Sequence, residues 1–202
     1  MLACVGIELT FMAADAGLLS DTRLRGRAYE YFGFWSGLLK GGWLPNYAAQ
    51  PYTMFCSYAF LHAGPVHLIV NMLTLWSLGK IVCDRVGTGG FALLYFGAAL
   101  GGAGGFAILG TQLSPMVGAS GALFGLAGGL LAWNYVDRYT FTEGLWPVAR
   151  AAALLIAMNL ILWWAMKGQL AWETHLGGFV AGWVLALLID PRGRPEEDAE
   201  ET

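Results

Sequence analysis

The chain has 202 residues, of which 57% are hydrophobic and only 12% are charged. A soluble domain typically carries about 25% charged residues, so this composition excludes an ordinary water-soluble protein. The net charge of -3 gives no reason to expect nucleic-acid binding. The cysteines lie far apart without metal-ligand spacing, so they predict neither a disulfide framework nor a metal site. We therefore expect a membrane protein that holds no metal.

Six apolar segments follow one another, several of them near the 20 residues that a helix needs to cross a bilayer about 30 Å thick. They cover residues 2–19, 66–82, 91–109, 118–135, 146–166 and 175–189. The first is weakened by Glu8 and Asp15, and we interpret it as a retained helix because no basic region or cleavage site marks it as a signal peptide. The pattern predicts one all-α membrane domain of six transmembrane helices over residues 1–190. Residues 191–202 are acidic and predict a disordered, solvated tail.

A long connection, residues 20–64, separates the first two segments and is rich in aromatic side chains. These are Trp35, Trp43, Tyr47, Tyr52 and Tyr58. Aromatic rings at this density are typical of a segment lying at the headgroup level of a membrane. The alternative is an ordinary surface loop, but loops of this length in compact proteins are usually functional. We therefore predict a structured, interfacial first loop.

The short connections indicate the orientation of the chain. Residues 111–117 carry no charge, whereas residues 136–144 carry Asp137, Arg138 and Glu143. Together with a slight excess of Lys and Arg on the same side, this favours both termini in the cytoplasm. No organelle transit segment is evident, so we expect a bacterial inner membrane.

The fourth segment begins at Ser120, a serine flanked by small residues in the run 118–121. Another backbone can approach such a serine closely, and the first N–H groups of a helix lack intrahelical partners. An accessible hydroxyl beside free N–H donors is what acyl transfer requires. The spacing of Gly121, Gly125 and Gly129 is equally typical of close helix packing, which is the better interpretation of this run alone.

The sixth segment begins with a histidine that could act as the base for such a serine. Gly178 and Gly182 follow His175 at i+3 and i+7, and therefore share roughly its face of a helix. A serine and a histidine on different helices can reach each other only where the helices nearly touch. Because glycines begin beside both groups, the two patterns together predict a Ser–His pair far more specifically than either does alone.

The second segment adds polar side chains to this set. His67 and Asn71 are spaced i, i+4 and project from one helical face, and His62 precedes them. Imidazole and carboxamide N–H groups can donate to an oxyanion. They could instead be satisfied core groups, although polar residues in membrane helices are functional candidates by default. Since Glu173 at i−2 should point away from His175, we predict a Ser–His dyad without a third acid.

Three motifs, in this order, resemble the rhomboid intramembrane proteases. They are His62-x4-His67-x3-Asn71, then Gly118-Ala119-Ser120-Gly121, then His175-x2-Gly178-x3-Gly182. The resemblance covers residues 50–190 and implies the six-helix rhomboid fold, a water-filled cavity below the outer membrane surface, and no cofactor.

The resemblance also implies a role for each matched residue. Ser120 and His175 would be the catalytic dyad, and His67 and Asn71 would bind the oxyanion together with the Ser120 amide. His62 would hold the first loop against the site, a structural role.

Three positions depart from the family pattern. Cys83 stands where members often carry an acid, and residues 52–54 stand where the family has a Trp-Arg pair. Phe124 replaces a Tyr found in some members, yet it can still stack on the catalytic imidazole. None of these changes removes a reacting group.

The predicted function is cleavage of single-pass or polytopic membrane proteins inside the lipid bilayer, with lateral entry past the fifth segment. Trp146, Trp163 and Trp164 could line that gate or simply anchor the segment at the interfaces. Two alternatives remain: a catalytically dead relative that binds membrane proteins, and a transporter or channel lined by His67, Asn71 and Asn159. Neither the natural substrate nor the oligomeric state follows from the sequence.

Overall fold

The computed structural model describes residues 1–111 and 113–190, and the predicted acidic tail, residues 191–202, lies outside them. This described part is all-helical, as predicted. Its α-helices are α1 (Leu2–Asp15), α2 (Leu24–Phe32), α3 (Gln50–Ser57), α4 (Pro65–Leu109), α5 (Ser120–Thr140), α6 (Trp146–Ala165) and α7 (Trp172–Ile189). Short 3-10 turns occur at Ser36–Leu38 and Tyr58–Phe60.

Three helices of the described part, α4, α6 and α7, are long and apolar enough to cross a membrane. The chain is therefore an integral membrane protein. By contrast, α1 has 14 residues, which is about 21 Å at 1.5 Å per residue and less than the bilayer core. The total of six spans stays a prediction.

The second and third apolar segments form one continuous element, α4, that is broken at Gly87. This glycine has φ 70° and ψ 177°, a conformation that a side chain would disfavour. A Cβ built on Gly79 would lie 3.2 Å from the ring of Phe91. Twelve residues of straight helix would separate these positions by about 18 Å, so the chain folds back on itself at Gly87.

The core of the molecule is formed by α4, α5 and α7, which pack against one another. The buried apolar cluster includes Leu75, Leu94, Leu126 and Trp133. The indole of Trp133 donates a hydrogen bond of 2.9 Å to the carbonyl of Ala186, which joins α5 to α7. These three helices carry Ser120, His175, His67 and Asn71, whereas His62 and Gly118 lie in the segments just before α4 and α5.

An ionic cluster joins α4, just before its break at Gly87, to the C-terminal ends of α5 and α7. Arg85 donates to both carboxylate oxygens of Asp137, at 2.9 and 3.1 Å, and to Asp190 at 3.0 Å. Its guanidinium carbon also lies 4.9 Å from the ring centroid of Trp133. A single arginine thus ties α4, α5 and the end of α7 together.

Helix α6 is packed differently from the rest. Only Val148 of this helix is buried, and its large apolar side chains are mostly exposed. A helix whose apolar side chains cover its whole circumference and lie exposed on the protein surface is expected to contact lipid. The core therefore does not depend on α6 for most of its packing.

The first loop is structured, since it contains α2, α3 and both 3-10 turns. Arg25 of α2 donates to both oxygens of Glu8, at 2.9 and 3.0 Å, and to Asp15 at 2.8 Å. Partial burial alone would lower the pKa of Arg25, but the hydrogen bonds to Glu8, Tyr29 and Asp15 raise it above its ordinary value. The acids that weaken the first apolar segment are thus paired with a cation from the loop.

Candidate active site

Ser120 is the first residue of α5 and follows a backbone segment of unusual shape. Gly118 has φ +125°, and a Cβ there would lie 2.7 Å from Cε1 and 2.9 Å from Nε2 of His67. Its N–H donates to the carbonyl of Tyr58 at 3.0 Å. Only glycine fits this conformation while allowing the imidazole to lie so close. The loop before Ser120 is therefore held directly against α4.

The structure brings His175 to Ser120. Nε2 of His175 lies 2.9 Å from Oγ of Ser120. The two helices can approach this closely because a Cβ at Gly178 or Gly182 would overlap the carbonyl oxygen of Gly121 or Gly125, respectively. The glycines thus set the distance between the two groups.

Phe124 fixes the plane of the imidazole. Its ring stacks on that of His175 with a centroid distance of 4.1 Å and an interplanar angle of 9°. Phe124 lies one helical turn after Ser120, so one face of α5 presents both the hydroxyl and the stacking ring. His175 is only 4% exposed, which leaves its nitrogens to protein partners.

The second ring nitrogen of His175 has a partner that the sequence analysis did not assign to the site. Nδ1 lies 2.6 Å from Oδ1 of Asn159 on α6. A carboxamide oxygen can only accept, so this contact is a hydrogen bond when Nδ1 carries the imidazole proton. The sequence does mark Asn159 as unusual, since it interrupts the otherwise apolar run 151–165, but it does not show that His175 is its partner.

His67 and Asn71 bring N–H donors to the loop before Ser120. Nδ1 of His67 accepts from the N–H of Ala63 at 3.2 Å, which places the proton of the neutral ring on Nε2, beside Gly118. Nδ2 of Asn71 is buried and has no hydrogen-bond partner within the described structure. Leaving a buried donor unpaired costs about 1–3 kcal/mol. Such a donor is expected where a ligand supplies the missing acceptor.

His62 lies behind this set. Its carbonyl accepts from Arg25 at 3.1 Å and from the Tyr29 hydroxyl at 2.6 Å, which ties α2 to the start of α4. Its ring meets that of His67 edge-on, with centroids 5.2 Å apart. Burial, and secondly the proximity of His67, lowers the pKa of His62 to about 4, so the ring is neutral at pH 7.

The arrangement contains the groups that a serine acyl-transfer site requires: a hydroxyl, an imidazole nitrogen within hydrogen-bond distance of that hydroxyl, and N–H donors beside both. Of the residues singled out in the sequence, Ser120 and His175 contact each other, Phe124 stacks on the base, and His67 and Asn71 flank the preceding loop. Glu173 is buried on α7, with one carboxylate oxygen unpaired among the described residues. His175 is bonded to Asn159 instead.

The family model described as "Rhomboid domain" matches residues 49–192. RHOMBOID-like protein 4 of Arabidopsis thaliana is 36% identical over 134 residues, covering 65% of this chain and 33% of that protein. Rhomboid protease GluP of Bacillus subtilis is 33% identical over 129 residues, covering 64% and 24%. Rhomboid protein 1, mitochondrial, of Saccharomyces cerevisiae is 33% identical over 138 residues, covering 61% and 38%. The chain spans less than half the length of these relatives.

Proposed function

Because the chain belongs to the rhomboid family, we propose that it is an intramembrane serine endopeptidase that cleaves transmembrane segments of other membrane proteins. The observation that carries the proposal is the 2.9 Å contact between Ser120 Oγ and His175 Nε2. It supports a Ser–His pair with Ser120 as nucleophile and His175 as general base. The substrates are single-pass or polytopic proteins that share the bilayer.

The first step forms the acyl-enzyme. As Ser120 Oγ attacks a peptide carbonyl carbon, its proton passes to Nε2 of His175. The carbonyl oxygen becomes an oxyanion, which accepts hydrogen bonds from the Ser120 amide, His67 Nε2 and Asn71 Nδ2. The intermediate collapses when the C–N bond breaks, and the leaving amine takes the proton from His175.

The second step releases the product. Water attacks the ester carbon and gives a proton to His175 Nε2, and the Ser120 oxygen leaves with that proton as the hydroxyl is restored. Since water must reach Ser120, the site requires a cavity open to the aqueous side. Ser120 is partly exposed, in keeping with such access.

The proposed topology has one membrane domain, residues 1–190, with six spans: α1, the two halves of α4, α5, α6 and α7. With both termini in the cytoplasm of a bacterium, the starts of α5 and α7 lie at the outer side of the inner membrane. Ser120 and His175 are then both near the outer surface, and the Arg85 cluster is at the cytoplasmic side. Pairing of Glu8 with Arg25 makes α1 compatible with a membrane position.

The direct test is cleavage of a reporter transmembrane protein by the purified chain in liposomes. We expect two membrane-derived fragments whose masses locate one cut in or near the outer end of the reporter segment. A folded sample that leaves a panel of reporters with different transmembrane segments uncut, and whose Ser120 fails to react with a fluorophosphonate, would contradict the proposal.

The substrate should be cut where its helix unwinds. An intact helix holds its carbonyls in i→i−4 hydrogen bonds, so small residues at the cut and Gly or Pro nearby should favour attack. Replacing that stretch of the reporter with Leu and Ile should slow cleavage, measured by fragment yield over time. The same replacement at the opposite end of the reporter segment is the control, and equal rates for the two reporters would refute this preference.

Replacing Asn71 with alanine should slow catalysis by removing one oxyanion donor. Loss of such a donor in another serine protease costs about 10²–10³ in kcat, about 3–4 kcal/mol, and redundancy with His67 would reduce this. We expect kcat to fall by about 10²-fold with little change in KM. The control is Leu73→Ala, on the same helix but 64% exposed. Equal kcat for the two variants would remove Asn71 from the oxyanion site.

A further inference from the structure

We propose that Asn159 is a positioning residue that holds His175 in the tautomer that can accept the Ser120 proton. The inference rests on the proposed protease function and adds a third member to its Ser–His pair. It is carried by the 2.6 Å contact between Asn159 Oδ1 and His175 Nδ1 on one side of the ring and the 2.9 Å contact with Ser120 on the other.

The tautomer matters because a neutral imidazole carries one proton on either of its two nitrogens. With the proton on Nε2, His175 would donate to Ser120 Oγ and could not accept its proton. The Asn159 oxygen stabilises the proton on Nδ1, so the productive form dominates before the substrate arrives. In other proteases an Asp or Asn beside the catalytic histidine performs this orientation.

None of the other described contacts of His175 makes this choice of tautomer. Stacking on Phe124 fixes the plane of the ring but treats both nitrogens alike. Among the charged or titratable groups nearby, Glu173 makes no hydrogen bond to the ring within the described structure, and His67 lies on α4, on the side of the loop before Ser120. Within the part of the chain that the structure describes, Asn159 alone meets Nδ1 with an acceptor.

The competing explanation is that Asn159 merely fastens α6 to the bundle. Interhelical hydrogen bonds of this kind help to hold helices together within membranes, and α6 is otherwise little buried. A fastening role would be served by any side chain that anchors α6, and it would not alter the proton position on His175. The tautomer and the pH profile therefore separate the two explanations.

The test compares Asn159→Leu and Asn159→Asp with the control Met158→Leu. Met158 is adjacent to Asn159 in sequence, and its side chain is 42% exposed. Cleavage of the liposome reporter is measured from pH 5 to pH 9, a range of about two units on either side of neutrality. We expect Asn159→Leu to lower kcat about 10–100-fold, by analogy with the loss of the outer hydrogen-bond partner of a metal-bound histidine. KM and the behaviour of Met158→Leu should stay unchanged.

Asn159→Asp should recover most of the activity because a carboxylate also accepts from Nδ1. Its negative charge favours the protonated imidazole, so the acid limb of the pH profile should move to higher pH. If Asn159→Leu retains the wild-type kcat, or if Asn159→Asp leaves both kcat and the profile at the values of Asn159→Leu, the positioning role is wrong.

A measurement that needs no activity keeps the inference separate from the protease proposal. The nitrogen-15 chemical shifts of His175 in the wild-type protein should show a neutral ring with the proton on Nδ1, and a mixture of tautomers in Asn159→Leu or, if that variant does not fold, in Asn159→Ala. A wild-type ring protonated on Nε2 would overturn the inference even in an active enzyme. The expected shifts in a folded sample that cleaves none of the reporters and whose Ser120 does not react with a fluorophosphonate would uphold the positioning and refute the proposed function.

Discussion

Replacing Ser120 with alanine should reduce cleavage of a transmembrane reporter to the uncatalysed background, and His175→Ala should do the same. In the proposed mechanism, the first change removes the atom that bonds to the substrate, and the second removes the group that takes the Ser120 proton over a distance of 2.9 Å. In a well-studied serine protease either loss costs about 10⁶-fold in kcat, so no product should be detectable on the scale of an ordinary assay.

The losses of activity caused by Ser120→Ala and His175→Ala should not add in the double variant. When two residues act as one unit, the double variant is about as inactive as either single variant. Ser77→Ala is a matched control, since Ser77 lies exposed on α4 away from the site. Cleavage by Ser120→Ala at more than a trace of the wild-type rate would remove Ser120 from the mechanism, provided that the products are the same.

The second large effect is expected from a single methyl group at Gly182. A Cβ there would overlap the carbonyl oxygen and carbon of Gly125, which are backbone atoms and cannot move aside as a side chain could. Overpacking typically costs about 1–3 kcal/mol, and we expect Gly182→Ala to lie at the upper end. Because the strain pushes α7 from α5, kcat should also fall about 10²-fold, the effect of a misplacement of about 1 Å.

Gly104→Ala is the control for this substitution. Gly104 is also a helical glycine, but a Cβ there would meet nothing within 4 Å. The thermal stability of Gly104→Ala should therefore equal or slightly exceed that of the wild type, because alanine favours a helix more than glycine does, and the cleavage rate should stay the same. Both proteins are compared by thermal unfolding in detergent and by reporter cleavage in liposomes. If Gly182→Ala unfolds at the wild-type temperature and cleaves at the wild-type rate, the close contact of α5 and α7 does not set the geometry of the site.

The all-helical class could be predicted because long apolar runs have few alternatives in a membrane. Ser120 and His175 could be singled out for a different reason: each stands at a helix start beside glycines, and two helices with glycine faces can approach until the backbones touch. In this case the spacing of glycines along each helix predicts a contact between the two helices, since Gly178 faces Gly121 and Gly182 faces Gly125.

Partners brought by distant segments could not be predicted. Asn159 was visible as a polar residue in an apolar run, but nothing in the spacing shows that α6 presents it to Nδ1 of His175. Glu8 and Asp15 likewise reduced the apolarity of the first segment, because their pairing with Arg25 depends on how the first loop folds. Both cases require knowledge of which helices become neighbours.

The local backbone conformation of the connections could not be predicted from the sequence either. The sequence predicts a connection of eight residues, 83–90, between the second and third segments, whereas helix continues on both sides of Gly87 and a single residue with positive φ makes the turn. The short helices α2 and α3 inside the first loop also escaped prediction, because aromatic content indicates a membrane interface without indicating helical periodicity.

The family's Trp-Arg pair in the first loop is absent from this sequence, and the structure shows another arginine anchoring that loop. Arg25 reaches α1 through Glu8 and Asp15 and reaches the segment before α4 through the carbonyl of His62. The loop is thereby joined to the element that carries His67 and Asn71, so this departure from the family pattern leaves the proposed oxyanion donors supported.

The most direct test of the central claim is reaction of the folded protein with a fluorophosphonate, which phosphonylates an activated serine and releases fluoride. Peptide mass spectrometry of the wild-type protein should find the adduct on Ser120, and neither Ser120→Ala nor His175→Ala should be labelled at any serine. The reaction requires no knowledge of the natural substrate. Labelling of Ser120 that persists in His175→Ala at the wild-type rate would contradict the pair, and a folded wild-type protein that stays unlabelled would indicate a member of the family that binds membrane proteins without cutting them.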